Sequence, residues 1–216
     1  MANTQQLIRS LSQEAKPVRL MQGPMALSLR LAAILIAYAA VLGFALEFRS
    51  DLAVQLSRPM YLAEVVALFM IFLTTLVASV HLAYPDHYQK QLVFPVPILS
   101  ITAFVALLIL QGTMPEDPLM VLGGEYAHHT YECTLCIAGS TIIPVSVLLF
   151  VLHRGATVRP HLSGIFATIS AAAIGCLMLR LAEANDSLPH LLVWHYAPTL
   201  LFALLGATLG KWLLKW

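Results

Sequence analysis

Two thiols, two imidazoles and two carboxylates fall close together in this chain: Glu125, His128, His129, Glu132, Cys133 and Cys136. Cys133 and Cys136 are three residues apart. At the start of a helix that spacing puts both on one face and within reach of a disulfide. Helix N-termini stabilise thiolates through their aligned backbone dipoles, so reversible oxidation is one chemistry open to the pair. Metal binding is another, because two thiolates with His128 or His129 suit a soft or borderline cation. The spacing also allows a fixed disulfide, or two inert helix residues. Among sequence features, the Cys-x-x-Cys pair is the candidate pair of sensing thiols, with His128, His129, Cys133 and Cys136 as a candidate ligand set for a transient metal ion. Nothing in the sequence calls for a permanent cofactor.

The elements that must position these residues are membrane helices. The 216 residues are 59% hydrophobic and 11% charged, against about 25% charged in an ordinary soluble domain. A span needs about 20 apolar residues, and six runs meet that length: 26–46, 60–84, 93–112, 133–153, 162–182 and 188–214. The fold class expected is an all-α membrane protein, a bundle of six transmembrane helices. Pro95, Pro97, Pro144 and Pro198 lie within spans, where neighbours can satisfy the carbonyls that proline frees. The fifth span has a small-residue face (Ser163, Gly164, Ala167, Ser170, Ala171, Gly175). The sixth has Gly206 and Gly210. Such faces serve packing within the bundle or, alternatively, a homodimer. Glu64 and Arg180 near span ends are expected to snorkel to the interface, and Trp194, Tyr196, Trp212 and Trp216 to anchor there.

Basic residues orient the chain. With the N-terminus in the cytoplasm, nine Lys/Arg fall inside (Arg9, Lys16, Arg19, Arg30, Lys90, Arg154, Arg159, Lys211, Lys215) and three outside (Arg49, Arg58, Arg180). The positive-inside rule then puts both termini in the cytoplasm and the Cys-x-x-Cys region on the far side. In a bacterial cell that is the oxidising periplasm.

Residues 1–24 form a cytoplasmic N-terminal segment and 25–216 the six-helix domain. The segment is polar and mildly basic and lacks the pattern of a secretory signal. Asn3 or Thr4 caps a short helix to about Ala15, with Leu7, Ile8 and Leu11 on one face. That stripe suits either a membrane-surface helix or a peptide docking into a groove of a cytoplasmic protein. Pro17 ends it.

Several stretches carry a resemblance to the NrsF-type family of bacterial integral-membrane anti-sigma factors. They are Leu7-Ile8-x-x-Leu11 with Pro17-Val18-Arg19; Arg49-Ser50-Asp51-Leu52 with Pro59 and Glu64; residues 154–160 with Gly164; Asp186-Ser187 leading to Trp194-His195-Tyr196; and Gly206 to Trp216. The resemblance covers nearly the whole chain. It implies an inner-membrane protein that sequesters a sigma factor of the extracytoplasmic-function group through cytoplasmic segments. A heavy-metal or oxidative envelope signal releases the sigma factor. By that analogy Leu7, Ile8, Leu11, Pro17, Val18 and Arg19 contact the sigma factor, and no direct nucleic-acid contact is implied. Thiol-sensing relatives carry one cysteine near the start of the fourth span and another at the outer end of the fifth. Here that second position falls at about Glu183.

The chain is not expected to be an enzyme: it has no phosphate loop, no Ser/His/Asp arrangement and no zinc-protease motif. One rival reading is a quinone-linked thiol oxidoreductase, which needs a second exchanging pair that Cys176 alone does not supply. Another is a metal carrier or permease with a helix broken at Pro95 and Pro97.

Overall fold

The computed structural model describes residues 3–14, 22–85, 94–113 and 130–215. Pro17, Val18, Arg19, His128, His129 and Trp216 lie outside these. The described residues form helices and no strands, in the order α1 (Thr4–Glu14), α2 (Pro24–Leu46), α3 (Leu52–Leu56), α4 (Pro59–His81), α5 (Pro95–Thr113), α6 (Thr130–Leu152), α7 (Pro160–Ala182) and α8 (Leu188–Leu213). All but α1 and α3 are long and apolar enough to cross a membrane. The six spans stand where the hydropathy pattern puts them, with ends displaced by a few residues. The end of the bundle where α2 begins is called proximal here, and the end where it finishes distal.

Proline starts α2, α4 and α7, a position where its missing N–H has no intrahelical partner to lose. Pro95 and Pro97 stand in the first turn of α5, which continues unbroken to Thr113. The helix break that would mark a carrier is therefore absent from α5.

Interior prolines are handled differently. Pro144 leaves the Ser140 carbonyl, four residues back, without its helical donor; the Tyr38 hydroxyl of α2 donates to it at 2.9 Å. Pro198 does the same to Trp194 O, and Thr134 Oγ1 of α6 donates to that carbonyl at 2.8 Å. Each proline thus converts an intrahelical bond into a tie between helices, as membrane helices require.

α7 is the hub. It packs on α2, α4, α6 and α8, and Ser163, Ala167, Ser170, Ala171, Ala172 and Cys176 are 0–1% exposed. Its small side chains let the neighbouring backbones come close. A Cβ on Gly206 of α8 would overlap Thr168 Oγ1 and stand 2.6 Å from Gly164 O, and one on Gly164 would overlap Gly206 O. The glycines of both helices are used within the chain. Hydroxyls complete the seam: Ser163 and Ser170 donate to Ser79 O and Phe72 O of α4 at 3.1 and 3.0 Å.

Helix α1 begins at a side-chain cap, with the Gln5 N–H donating to Asn3 Oδ1 at 3.2 Å. Leu7, Ile8 and Leu11 are 55%, 60% and 59% exposed.

Two expectations are corrected. Glu64 and Arg180 do not snorkel: they are 1% and 3% exposed and face each other inside the bundle. Tyr196 is not an interfacial anchor but is buried, with its hydroxyl donating to Glu64. The reason is the same in both cases. A carboxylate, a guanidinium and a phenol that satisfy one another lose less by burial than any of them would alone. Trp212, by contrast, is exposed on the bundle surface.

Candidate functional site

The distal end of the bundle holds two linked polar assemblies. The first is a network of charges on α4, α7 and the two connecting loops. Arg180 Nε donates to Glu64 Oε1 at 3.1 Å, and its Nη1 donates to Asp186. Gln111 of α5 donates to Glu64 Oε2 at 3.3 Å. Arg49, in the turn after α2, makes a fork to Asp186 (2.8 and 2.9 Å) and another to Asp51 (2.6 and 2.9 Å). Tyr61 lies beneath both guanidinium groups, 4.3 Å from Arg180 Cζ and 5.6 Å from Arg49 Cζ, an arrangement favoured by the ring quadrupole. Its hydroxyl donates to Arg180 O at 2.8 Å.

Burial alone would raise the Asp186 carboxyl; the hydrogen bond from Arg49 and the charge of Arg180 hold it below the usual carboxylate range. Asp51 is likewise held low by its hydrogen bonds from Arg49 and Gln55. Arg49 is held charged by the same two acids.

The second assembly gathers Cys133, Glu183, His190 and His195, whose nearest donor atoms all lie within 4.8 Å of one another. Cys133 Sγ stands 3.3 Å from Glu183 Oε2 and 3.7 Å from His190 Nε2. Glu183 Oε1 is 3.1 Å from His190 Nε2, and its Oε2 is 2.9 Å from His195 Nε2. Cys133 is 8% exposed, His190 5% and His195 0%; the Glu183 side chain, at 22%, is the most open of the four. Burial by itself would raise the Glu183 carboxyl, but the hydrogen bond with His195 and the two imidazoles keep it below its usual range.

Local backbone explains how two histidines five apart share a face. In an α-helix residues i and i+5 diverge by roughly 140°. The stretch Leu191–Tyr196 is instead π-helical, with the Ala197 N–H reaching back to Leu192 O. The wider turn stacks residues five apart, a feature common at functional sites. His190 and His195 rings lie 5.2 Å apart, edge to face. Cys133 comes from the first turn of α6 and Glu183 caps the C-terminus of α7. Arg49 Nη1 holds the Glu183 carbonyl at 3.1 Å, which joins the two assemblies.

The sequence-predicted thiols separate here. Neither is in a disulfide: Cys133 is buried in this cluster, whereas Cys136, nearly one helical turn on, is exposed. Cys133 faces a carboxylate and lies among buried groups, which is no setting for a free thiolate without a cation. Cys176 is buried and donates to His195 O at 3.4 Å. These thiols are not arranged as two exchanging pairs. Sequence reasoning named Cys133 but missed His190 and His195, and it noted Glu183 only as the place where a cysteine is lacking. The spacing His190–His195 matches no α-helical face, so periodicity could not find it.

Two of the stretches that carried the family resemblance, Arg49 to Glu64 and Asp186 to Tyr196, converge at this end. Arg49, Asp51, Glu64, Asp186, His195 and Tyr196 all belong to the two assemblies. A family profile described as "Negative regulator of sigma F" matches residues 11–216. The chain is 24% identical over 173 residues to the "Probable anti-sigma-F factor NrsF" of Azospira oryzae, covering 79% of each protein. No solved structure matches. With nearly its full length matched, the chain belongs to the family of negative regulators of sigma F.

Proposed function

We propose that the protein is an anti-sigma factor that holds an extracytoplasmic-function sigma factor at the bacterial inner membrane and releases it on a periplasmic oxidant or metal signal. Both termini lie in the cytoplasm in this reading, so α1 meets the sigma factor and the distal end, with Cys133 and Cys136, meets the signal. The observation that carries it is the exposed row Leu7, Ile8 and Leu11 on α1 in a chain of this family. An apolar row on an otherwise polar helix is suited to a hydrophobic groove on a partner. By the family resemblance, Pro17, Val18 and Arg19 take part in the same contact. The signal travels by repacking of α6 on α7 and α8; moving an equilibrium from 1:99 to 99:1 requires about 5.5 kcal/mol of differential binding.

The test is co-purification. Tagged protein from its own cells, in mild detergent, carries a sigma factor, identified by mass spectrometry. The double variant Leu7→Asp, Leu11→Asp loses it while still inserting in the membrane. Full binding by that variant would remove α1 from the docking site.

A further inference from the structure

We propose that Cys133, Glu183, His190 and His195 form a binding site for one divalent transition-metal cation of borderline softness, of the zinc(II) class. The argument starts from edge lengths. Metal–ligand bonds of about 2.0–2.3 Å in a tetrahedron put donor atoms roughly 3.3–3.8 Å apart. Here Cys133 Sγ is 3.3 Å from Glu183 Oε2 and 3.7 Å from His190 Nε2. Glu183 Oε1 lies 3.1 Å from His190 Nε2, and its Oε2 2.9 Å from His195 Nε2. These contacts stand within a few tenths of an ångström of tetrahedral edges, and one donor atom from each residue lies within 4.8 Å of the others, so small shifts complete the set.

The donor chemistry narrows the ion. One sulfur, two imidazole nitrogens and one carboxylate oxygen favour zinc-like cations over magnesium or calcium, which prefer oxygen throughout. Charge agrees with this. A dication, the Cys133 thiolate and the Glu183 carboxylate sum to zero, which suits a cluster at the end of an apolar bundle. Binding releases the Cys133 thiol proton to solvent. Glu183, the most open of the four, marks the entry side.

The pocket is held from outside by its neighbours. Arg49 Nη1 fixes the Glu183 carbonyl at 3.1 Å. Thr134, next to Cys133, ties α6 to Trp194 O at 2.8 Å, next to His195. Ligands from three helices are thus brought to one place by contacts outside the site. The ligand set differs from the one the sequence suggests: it excludes the exposed Cys136.

The inference rests on this geometry and not on the sigma-factor reading, so either can fail while the other stands. Full-length protein, purified under reductant in detergent and stripped with chelator, is titrated with Co²⁺ as the spectroscopic probe. The expected result is one Co²⁺ per chain, with thiolate-to-cobalt charge transfer and tetrahedral ligand-field bands, displaced by Zn²⁺. Cys133→Ser abolishes the charge-transfer band. Glu183→Gln and His190→Gln, close in shape to the native residues, weaken Co²⁺ binding by more than about tenfold. Cys136→Ser changes neither. Circular dichroism and gel filtration of each variant establish that its fold is retained, and Glu183→Gln serves if Cys133→Ser does not fold. The proposal is overturned by absence of stoichiometric Co²⁺ binding, by a charge-transfer band that survives Cys133→Ser, or by one lost in Cys136→Ser.

Discussion

Asp186 takes bonds from two buried arginines, Arg49 and Arg180, and so links the turn after α2 to the end of α7. Removing one member of a buried charge network leaves the others uncompensated, at a cost of about 3–5 kcal/mol. Glu64 and Asp51 remain to share the arginines, so Asp186→Asn is expected at the low end of that range, read as thermal unfolding in detergent. The pH dependence has a definite sign. The carboxyl is held below its usual range in the folded protein, so its contribution is present above the unfolded value of about 3.9 and is lost as pH falls through the folded one. The wild-type protein should lose stability on acidification below about pH 4. The variant should start lower at neutral pH and fall less steeply. Equal slopes would show that Asp186 is not the group responsible. At this scale the sequence was partly legible. Cys133 stood out because it sits beside Cys136 and two histidines in a local motif. Its actual neighbours Glu183 and His190 lie 50 and 57 residues away, and no spacing rule spans that distance. Glu64 and Arg180 were visible as charges but not as a pair, since they are 116 residues apart.

Helices were easier to read than their contents. Length and apolarity set all six spans, and the proline starts confirmed three of them. The small residues of α7 and α8 correctly marked a close crossing because a glycine face has few other uses in a bilayer. That crossing supports a prediction. Gly206→Ala puts a methyl against Thr168 Oγ1 and 2.6 Å from Gly164 O, and overpacking of this kind costs about 1–3 kcal/mol. Gly139 of α6 has open space around its Cβ position, so Gly139→Ala should leave stability unchanged or slightly raised. Melting temperatures of the two variants in the same detergent check the pair. A neutral Gly206→Ala would mean that the crossing is looser than the backbone distances indicate. The π-helical stretch in α8 was illegible for a physical reason. Pro198 and the i+5 histidines are its only local traces, and the wider turn is held by contacts with α6 and α7 rather than by intrinsic propensity. The tie from Thr134 to Trp194 O and the Cys176 contact to His195 O are both tertiary.

For the molecule as a whole, the orientation in the membrane decides which assembly meets which compartment. By the order of the six spans, the sequence assigns nine basic residues to the proximal side and three to the distal side. Two of the three, Arg49 and Arg180, are enclosed in the bundle by Asp51, Asp186 and Glu64. Their placement at the distal end is thus accounted for by pairing, and the remaining bias toward the proximal side is stronger than the raw count. In the orientation proposed above, α1 faces the cytoplasm and the Cys133 cluster the periplasm. Cys136 offers the means to test this, because it is exposed at the distal end while Cys133 and Cys176 are buried. A membrane-impermeant maleimide added to spheroplasts should label Cys136 without permeabilisation, and Cys136→Ser should abolish most of that labelling. A thiol placed on α1 by Ser10→Cys, in the Cys136→Ser background, should react only after the membrane is opened. The opposite pattern would put α1 outside the cell, away from any sigma factor, and would remove the cytoplasmic docking role while leaving the geometry of the four-ligand cluster untouched.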